Sequence, residues 1–455
     1  MSLNGHKGFL LAALAGTVLN VQAAKSEYNL LAVYQLAQKN DAQLAAAQAS
    51  MMATQEVVPQ SKARLLPSIN LSANANYNDG SKPDVGSYST NGWGANLTQP
   101  LLNMNSWYGL NQAEAQSAQA EAVFANEQQQ LILRVSEAYF NVLRAEDGLT
   151  TSKVQETAVK QQLDQARERY NVGLIAETDV LEAQAAYDNA RVSRILGENQ
   201  VSVAYEGLRT ITDHSVTDIA KLEKTMPVNA PMPANSDEWV TRAVENNLAL
   251  QAARKGLDAS EQAVRASKAN HLPTINAVAG YNVSSTGLDA KFGGADTEGA
   301  QIGLQFSLPI FSGGATSSQV RQSAYQLVQA QQTYDNNLRV TNSNTRNLFR
   351  TVNSDVGRVD ARCQGITSSE SALKATQSGY EVGTRNITDV LDAQQKLFSA
   401  TGDYLNARYD YIVNTLKLKQ AAGTLSPADL TDLNNWMVSS RTTAELEVPT
   451  ECRAK

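Results

Sequence analysis

Three histidines, two cysteines and a 6% share of aromatic residues are what this 455-residue chain has least of. Each scarcity removes a class of function. His6, His214 and His271 lack the ligand spacing of a zinc site. Thr212, Asp213, His214 and Ser215 are consecutive, and consecutive residues do not face one another as a catalytic triad must. Gly293-Gly294 and Gly313-Gly314 lack the Lys-Ser or Lys-Thr of a phosphate loop, so they read as turns. No catalytic residue, metal or cofactor is expected. Positive charge is short as well. Lys and Arg number 38 against 45 Asp and Glu, a net −7, so no nucleic-acid partner is expected. Much of the 42% hydrophobic content is alanine, and Gln, Asn, Ser and Thr abound, which favours long thin helices over a thick core.

Long apolar runs are missing too. The stretch from Gly8 to Leu19, behind His6 and Lys7 and before Val21-Gln22-Ala23, falls well below the ~20 residues of a spanning helix. Residues 1–23 are expected to be a secretory signal, cut after Ala23 or, as second choice, after Ala24. No cysteine follows that cut, which excludes a lipid-anchored N-terminus. Any membrane insertion must be made by strands. An exported chain meets an oxidising compartment, where Cys363 and Cys452 could pair. Cys363 falls in an expected long helix and Cys452 near the C-terminus, so two unpaired thiols are the expectation.

The chain repeats itself. The run Tyr170-Asn-Val-Gly through Thr178-Asp-Val-Leu to Gln184 returns as Tyr380-Glu-Val-Gly through Thr388-Asp-Val-Leu to Gln394, an ungapped offset of 380 − 170 = 210. Leu66-Pro67-Ser-Ile69-Asn70 matches Leu272-Pro273-Thr-Ile275-Asn276, Pro100 matches Pro309, and Asn40 with Leu44 matches Asn246 with Leu250. The copies are assigned to residues 24–232 and 233–424, meeting in the proline-rich linker Pro227–Ser236. Residues 425–455 lose the period and read as a polar tail.

Each copy opens with a helix, roughly 28–65 and 236–271, and Pro59 is expected to kink or break the first. Strands follow. Ile69, Leu71, Ala73, Ala75 and Tyr77 alternate with Ser68, Asn70, Ser72, Asn74 and Asn76; after a loop at 79–91, Trp93, Ala95 and Leu97 oppose Gly94, Asn96 and Thr98. In the second copy Ile275 to Val283 alternates likewise, and after a loop at 286–299 Ile302, Leu304, Phe306, Leu308 and Ile310 share a face. Such short alternating strands fit a transmembrane barrel; a soluble sandwich alternates as well.

Then come helices without proline, from Asn103 to about Tyr170 and from about Thr316 to Tyr380, with returns at about 176–210 and 386–422. Leu110, Ser117, Phe124, Leu131 and Ala138 recur every seven residues, with Ala113 and Ala120 in the second seam. Some 68 residues would extend about 100 Å. Val172-Gly173 and Val382-Gly383 suit helix ends. Helices polar nearly all round suit a tube wall better than a filled bundle. Four strands cannot close a barrel alone, since single-chain barrels begin at about 8, so two or more copies must share one. A surface coiled-coil adhesin has no use for a second strand pair, and a self-contained porin has no use for such helices.

Leu65-Leu66-Pro67, His271-Leu272-Pro273, Phe306-Ser-Leu-Pro-Ile310, Ala138-Tyr-Phe-Asn-Val-Leu143, Tyr170-Asn-Val-Gly173 and Val382-Gly-Thr-Arg385 with Asp389-Val-Leu-Asp392 together resemble the TolC family of outer-membrane channels, from about residue 27 to 435. The resemblance implies a mostly α protein with transmembrane β. Its two repeats would form a homotrimer, with a 12-stranded β-barrel in outer-membrane lipid continuous with a 12-helix periplasmic α-barrel. It implies a passive exit duct for drug efflux and type I secretion, with a periplasmic adaptor and an inner-membrane transporter as partners. Thr178 and Asp179 would accept a gate latch donated by Tyr380 and Arg385. Asp389 and Asp392 would form an acidic constriction, to which Glu177 and Glu182 add carboxylates beyond the family's pattern. Asp389 also suits the first turn of a helix capped by Asn386.

Overall fold

The computed structural model describes residues 28–79, 86–438 and 452; the expected signal at 1–23 lies outside them. The first expected helix is three. α1 (Leu30–Asn40), α2 (Ala42–Gln55) and α3 (Val57–Ala63) break at Asp41 and Glu56. Asp41 caps α2 by accepting the Leu44 N–H at 2.6 Å, and it pairs with Arg134 at 3.1 Å. Pro59 falls in the first turn of α3, where its missing N–H costs no helical bond, so the chain breaks just ahead of it. The second copy breaks at the corresponding place. α6 (Ser236–Asn246) gives way to α7 (Leu248–Ala269) at Asn247, whose side chain accepts from Leu250 N–H at 2.9 Å.

The strands are β1 (Ser68–Asn78), β2 (Tyr88–Leu102), β4 (Thr274–Thr286) and β5 (Thr297–Ser307), in one antiparallel sheet of order β1-β2-β4-β5. β2 starts earlier and runs longer than the sequence suggested. β5 stops at Ser307 rather than Ile310, because Pro309 has no N–H to give a ladder. Register aligns the chemistry into rows. Ile69, Leu97, Ala279 and Ile302 are cross-strand neighbours, as are Asn70, Asn96, Gly280 and Gln301 one residue along. Cross-strand neighbours share a face, so the sheet has one apolar and one polar side. The apolar side is open: Leu71 is 76% and Ile302 90% exposed. On the polar side Gly94 makes room, since a Cβ there would lie 2.1 Å from Asn282 Oδ1.

From the sheet run α4 (Met104–Asn171), 68 residues, and α8 (Ala315–Glu381), 67 residues, each about 100 Å long. They return as α5 (Glu177–Thr212) and α9 (Ile387–Ala421). Asn103 caps α4 through Ser106 N–H at 3.0 Å. α2 and α7 flank α4, and α8 lies beyond α7.

The helices are not uniformly thin. Halfway along α4, Leu131, Ile132, Val135, Tyr139, Phe140, Val142 and Leu143 are all buried. They pack with Leu30, Val33, Leu208, Ile366, Ile412 and Leu418 into one core. A packed belt thus thickens the thin helical wall expected from the sequence. The chain beyond 425 contributes to it, which corrects the polar-tail expectation as far as residue 438. α10 (Pro427–Asn434) buries Leu430, and β6 (Met437–Val438) pairs with β3 (Lys221–Leu222) in the linker. Polar groups tie the belt. Tyr139 Oη donates to the Ala220 carbonyl at 2.6 Å, and Arg408, 4% exposed, donates to the Glu223 carbonyl at 2.6 Å. Arg144 and Arg358 share Asp410 at 2.8 and 3.1 Å.

Cys363 and Cys452 form a disulfide, with Cα atoms 5.2 Å apart, and this overturns the expectation of two unpaired thiols. The tail returns to α8 at Cys452, whose carbonyl accepts from Thr367 Oγ1 at 2.7 Å and whose side chain joins the buried core. Geometry of this kind is set by tertiary packing, which sequence spacing does not reveal.

Candidate functional site

The eight sequence-selected residues all lie at the tips of the two helical hairpins, at the far end of α4 and α8 from the sheet. Each tip is built alike. Gly173 N–H bonds the Tyr170 carbonyl at 2.9 Å and Leu174 N–H the Arg169 carbonyl at 2.9 Å; Gly383 and Thr384 N–H repeat this with Tyr380 and Gly379 at 3.2 and 2.9 Å. Gly173 (φ 75°) and Gly383 (φ 76°) take the left-handed conformation that ends each helix. Leaving the second tip, Asn386 and Asp389 form a reciprocal capping box: Asn386 Oδ1 accepts from Asp389 N–H at 2.8 Å, and Asp389 Oδ2 from Asn386 N–H at 3.3 Å. The first tip has Ala176 at that place and no side-chain cap, so Glu177 and Asp179 support α5 only through the helix dipole.

Within one chain the latch residues do not meet. Among the described residues no hydrogen bond or ion pair joins Thr178 or Asp179 to Tyr380 or Arg385. Arg385 instead reaches from the turn to Asp389 in the first turn of α9 at 3.8 Å, an exposed pair that contributes little. Glu177 and Asp392 are exposed.

Two contacts that sequence reading missed do join the tips. Thr388 Oγ1 donates to Glu182 Oε2 at 3.3 Å, and the Arg169 guanidinium stands 4.8 Å from the centroid of the Tyr380 ring. Beneath them Val159, Ala190, Ile387 and Leu391 form a small buried cluster against which Tyr187 and Tyr380 pack. Arg169 lies one residue before the repeated Tyr170 and Thr388 one before the repeated Asp389, so the duplicated motif marked the region without marking the partners. Further up, Gln155 and Gln395 bond across the same seam.

No helix among the described residues is long and apolar enough to cross a membrane. An open sheet with one exposed apolar face, carried on hairpins of about 100 Å, defines a class: subunits of channels set in a membrane by strands. The comparisons specify the family. The model of the outer membrane efflux protein family matches the chain twice, over residues 33–214 and 239–424. The chain is 37% identical to the outer membrane protein TolC of Vibrio cholerae, over 94% of this chain and 97% of that one. It is 35% identical to TolC of Escherichia coli, over 94% and 88%, and 29% identical to the proteases secretion protein PrtF of Dickeya chrysanthemi, over 94% and 96%. The Campylobacter jejuni CmeC outer membrane channel shares the fold, with a TM-score of 0.77 at 17% identity and 96% of each chain covered. This chain belongs to the outer membrane efflux protein family. It is an outer-membrane channel protein of the efflux and secretion class.

Proposed function

We propose that three copies of this chain close head to tail into one continuous duct, the exit passage for drug efflux and type I secretion. The observation that carries this is the open sheet. Among the described residues β1 and β5 each present an unpaired edge, while the apolar face stands exposed. Unpaired edges cannot persist in lipid, where each unsatisfied backbone group costs several kcal/mol. Joining β5 of one copy to β1 of the next removes every edge, and a head-to-tail contact of this kind closes into a ring. Three copies give 3 × 4 = 12 strands, and three rather than two is what likeness to the family supports. The helices α2, α4, α7 and α8 close in the same way, as 3 × 4 = 12 staves. We further read residues 1–23 as a signal and 24–232 and 233–424 as two copies of one unit, which the double family match supports.

The duct is passive, and the hairpin tips are its gate. Thr178 and Asp179 of one hairpin meet Tyr380 and Arg385 of a neighbouring one across protomer boundaries, since they do not meet within a chain. Asp389 and Asp392, with Glu177 and Glu182, crowd carboxylates around one axis, which attracts cations. A periplasmic adaptor and an inner-membrane transporter open the tips. The names of relatives speak for such systems: proteases secretion for PrtF and cobalt-zinc-cadmium resistance for CzcC. Native mass measurement in detergent is expected to show three chains, and planar bilayers a small conductance that Arg385→Ser enlarges. A stable water-soluble monomer would refute the duct.

A further inference from the structure

We infer that the Glu182–Thr388 contact is one half of a six-fold set of tethers, completed by Asp392 of each chain accepting from Thr178 of a second copy. This rests on the closed ring proposed above, and on the duplication. The two residues that meet within the chain have counterparts at the repeat offset of 210: Thr178 + 210 = 388 and Glu182 + 210 = 392, occupied by Thr388 and Asp392. The chain thus carries a threonine and a carboxylate at equivalent places on both hairpins.

In the structure the carboxylate of the first hairpin takes the threonine hydroxyl of the second, at 3.3 Å. Stepping one hairpin further around a ring of alternating repeats turns that contact into the carboxylate of the second hairpin, Asp392, with the threonine of the next chain's first hairpin, Thr178. Asp392 is exposed and Thr178 is exposed, and neither side chain makes a hydrogen bond or ion pair within its own chain among the described residues. The two open ends are the ones that the repeat relation pairs.

The two kinds of seam are unequal. The seam within a chain also has Arg169 over Tyr380. Its counterpart across the boundary would place Gly379 at the position of Arg169, and Gly379 has no side chain to offer. That glycine is also held small, because a Cβ there would lie 2.8 Å from Arg385 Cγ. The six tethers therefore fall into two unlike classes, three within chains backed by Arg169 and three between chains without it.

Paired cysteines test this on the full-length, detergent-solubilised protein. Thr178→Cys with Asp392→Cys, treated with a short bifunctional maleimide, is expected to give a covalent ladder ending at three times the chain mass. Glu182→Cys with Thr388→Cys is expected to stay at monomer mass, with the internal bridge seen by peptide mapping. In bilayers Thr178→Val and Thr388→Val are each expected to raise the resting conductance several-fold. Monomer-mass products from the 178/392 pair, or wild-type conductance in both Val variants, overturn the tether. If Arg385→Ser also leaves conductance unchanged, or if native mass shows no trimer, the gate or the ring itself has failed, which separates the two causes.

Discussion

The Cys363–Cys452 bond has consequences that can be calculated. Its partners are 89 residues apart in sequence. Closing a loop of that length removes about 4.6 kcal/mol of conformational freedom from the unfolded chain at 25 °C, on the chain-entropy account. Unfolding entropy near 2.1 cal/mol/K per residue, taken over 455 residues, converts this to a Tm shift of roughly 5 °C. The bond also holds Cys452, 6% exposed, in the buried core, and its carbonyl takes the Thr367 hydroxyl at 2.7 Å. Cys363→Ser is expected to lower the Tm of the detergent-solubilised protein by that amount. Thr367→Val keeps the bond and loses one hydrogen bond, about 0.5–1.5 kcal/mol, so its Tm should fall by no more than a third as much. Alkylation of exported wild-type protein, denatured without reductant, should label no thiol. Two labelled thiols, or a Cys363→Ser variant that melts within a degree of wild type, would refute the reasoning.

Tyr409 Oη donates to Asp147 Oδ2 at 2.5 Å in the belt, where burial pushes the Asp147 carboxyl pKa up against the opposing pull of Tyr409, Lys221 and Arg408. Tyr409→Phe is expected to cost about 1–3 kcal/mol at neutral pH by leaving a buried carboxylate under-bonded. A carboxyl with a raised folded-state pKa holds its proton more tightly when folded, so it burdens the fold increasingly above its unfolded-state pKa and fully only above the folded one, where the buried charge leans on Tyr409. The deficit of Tyr409→Phe should therefore shrink as the pH falls through that folded-state value, read from Tm against pH; a pH-independent deficit would count against this. On the sheet, Ile302→Arg places a charge on the apolar side and should cost about 2–4 kcal/mol in lipid if near the midplane. Gln301→Arg, on the polar side, should leave unfolding in lipid close to wild type, and equal effects would show the faces are misassigned. Asp41→Ala removes the α2 cap and should cost about 0.5–2 kcal/mol, limited because Arg134 keeps Glu127 at 2.5 Å; denaturant unfolding measures it.

The sequence by itself determined the elements whose signals are local. Period-two alternation placed all four long strands and their apolar side, since a register slip of one residue would invert the faces. Absence of proline between Pro100 and Pro227 allowed α4 its length, and Val-Gly pairs placed both tips. The repeat located Thr178, Asp179, Tyr380 and Asp389 at one end of the molecule. What only tertiary structure decided depends on partners far away in the chain. Asp41 and Asn247 are ordinary polar residues inside helical patterns until Arg134 or the Ala421 carbonyl lies beside them. β3 and β6 are two residues each, too short for any period, and they pair across 437 − 222 = 215 positions. The belt core, the disulfide and the Glu182–Thr388 contact are of the same kind: each joins groups whose neighbourhood is set by how long helices cross, a global quantity that no window of sequence contains.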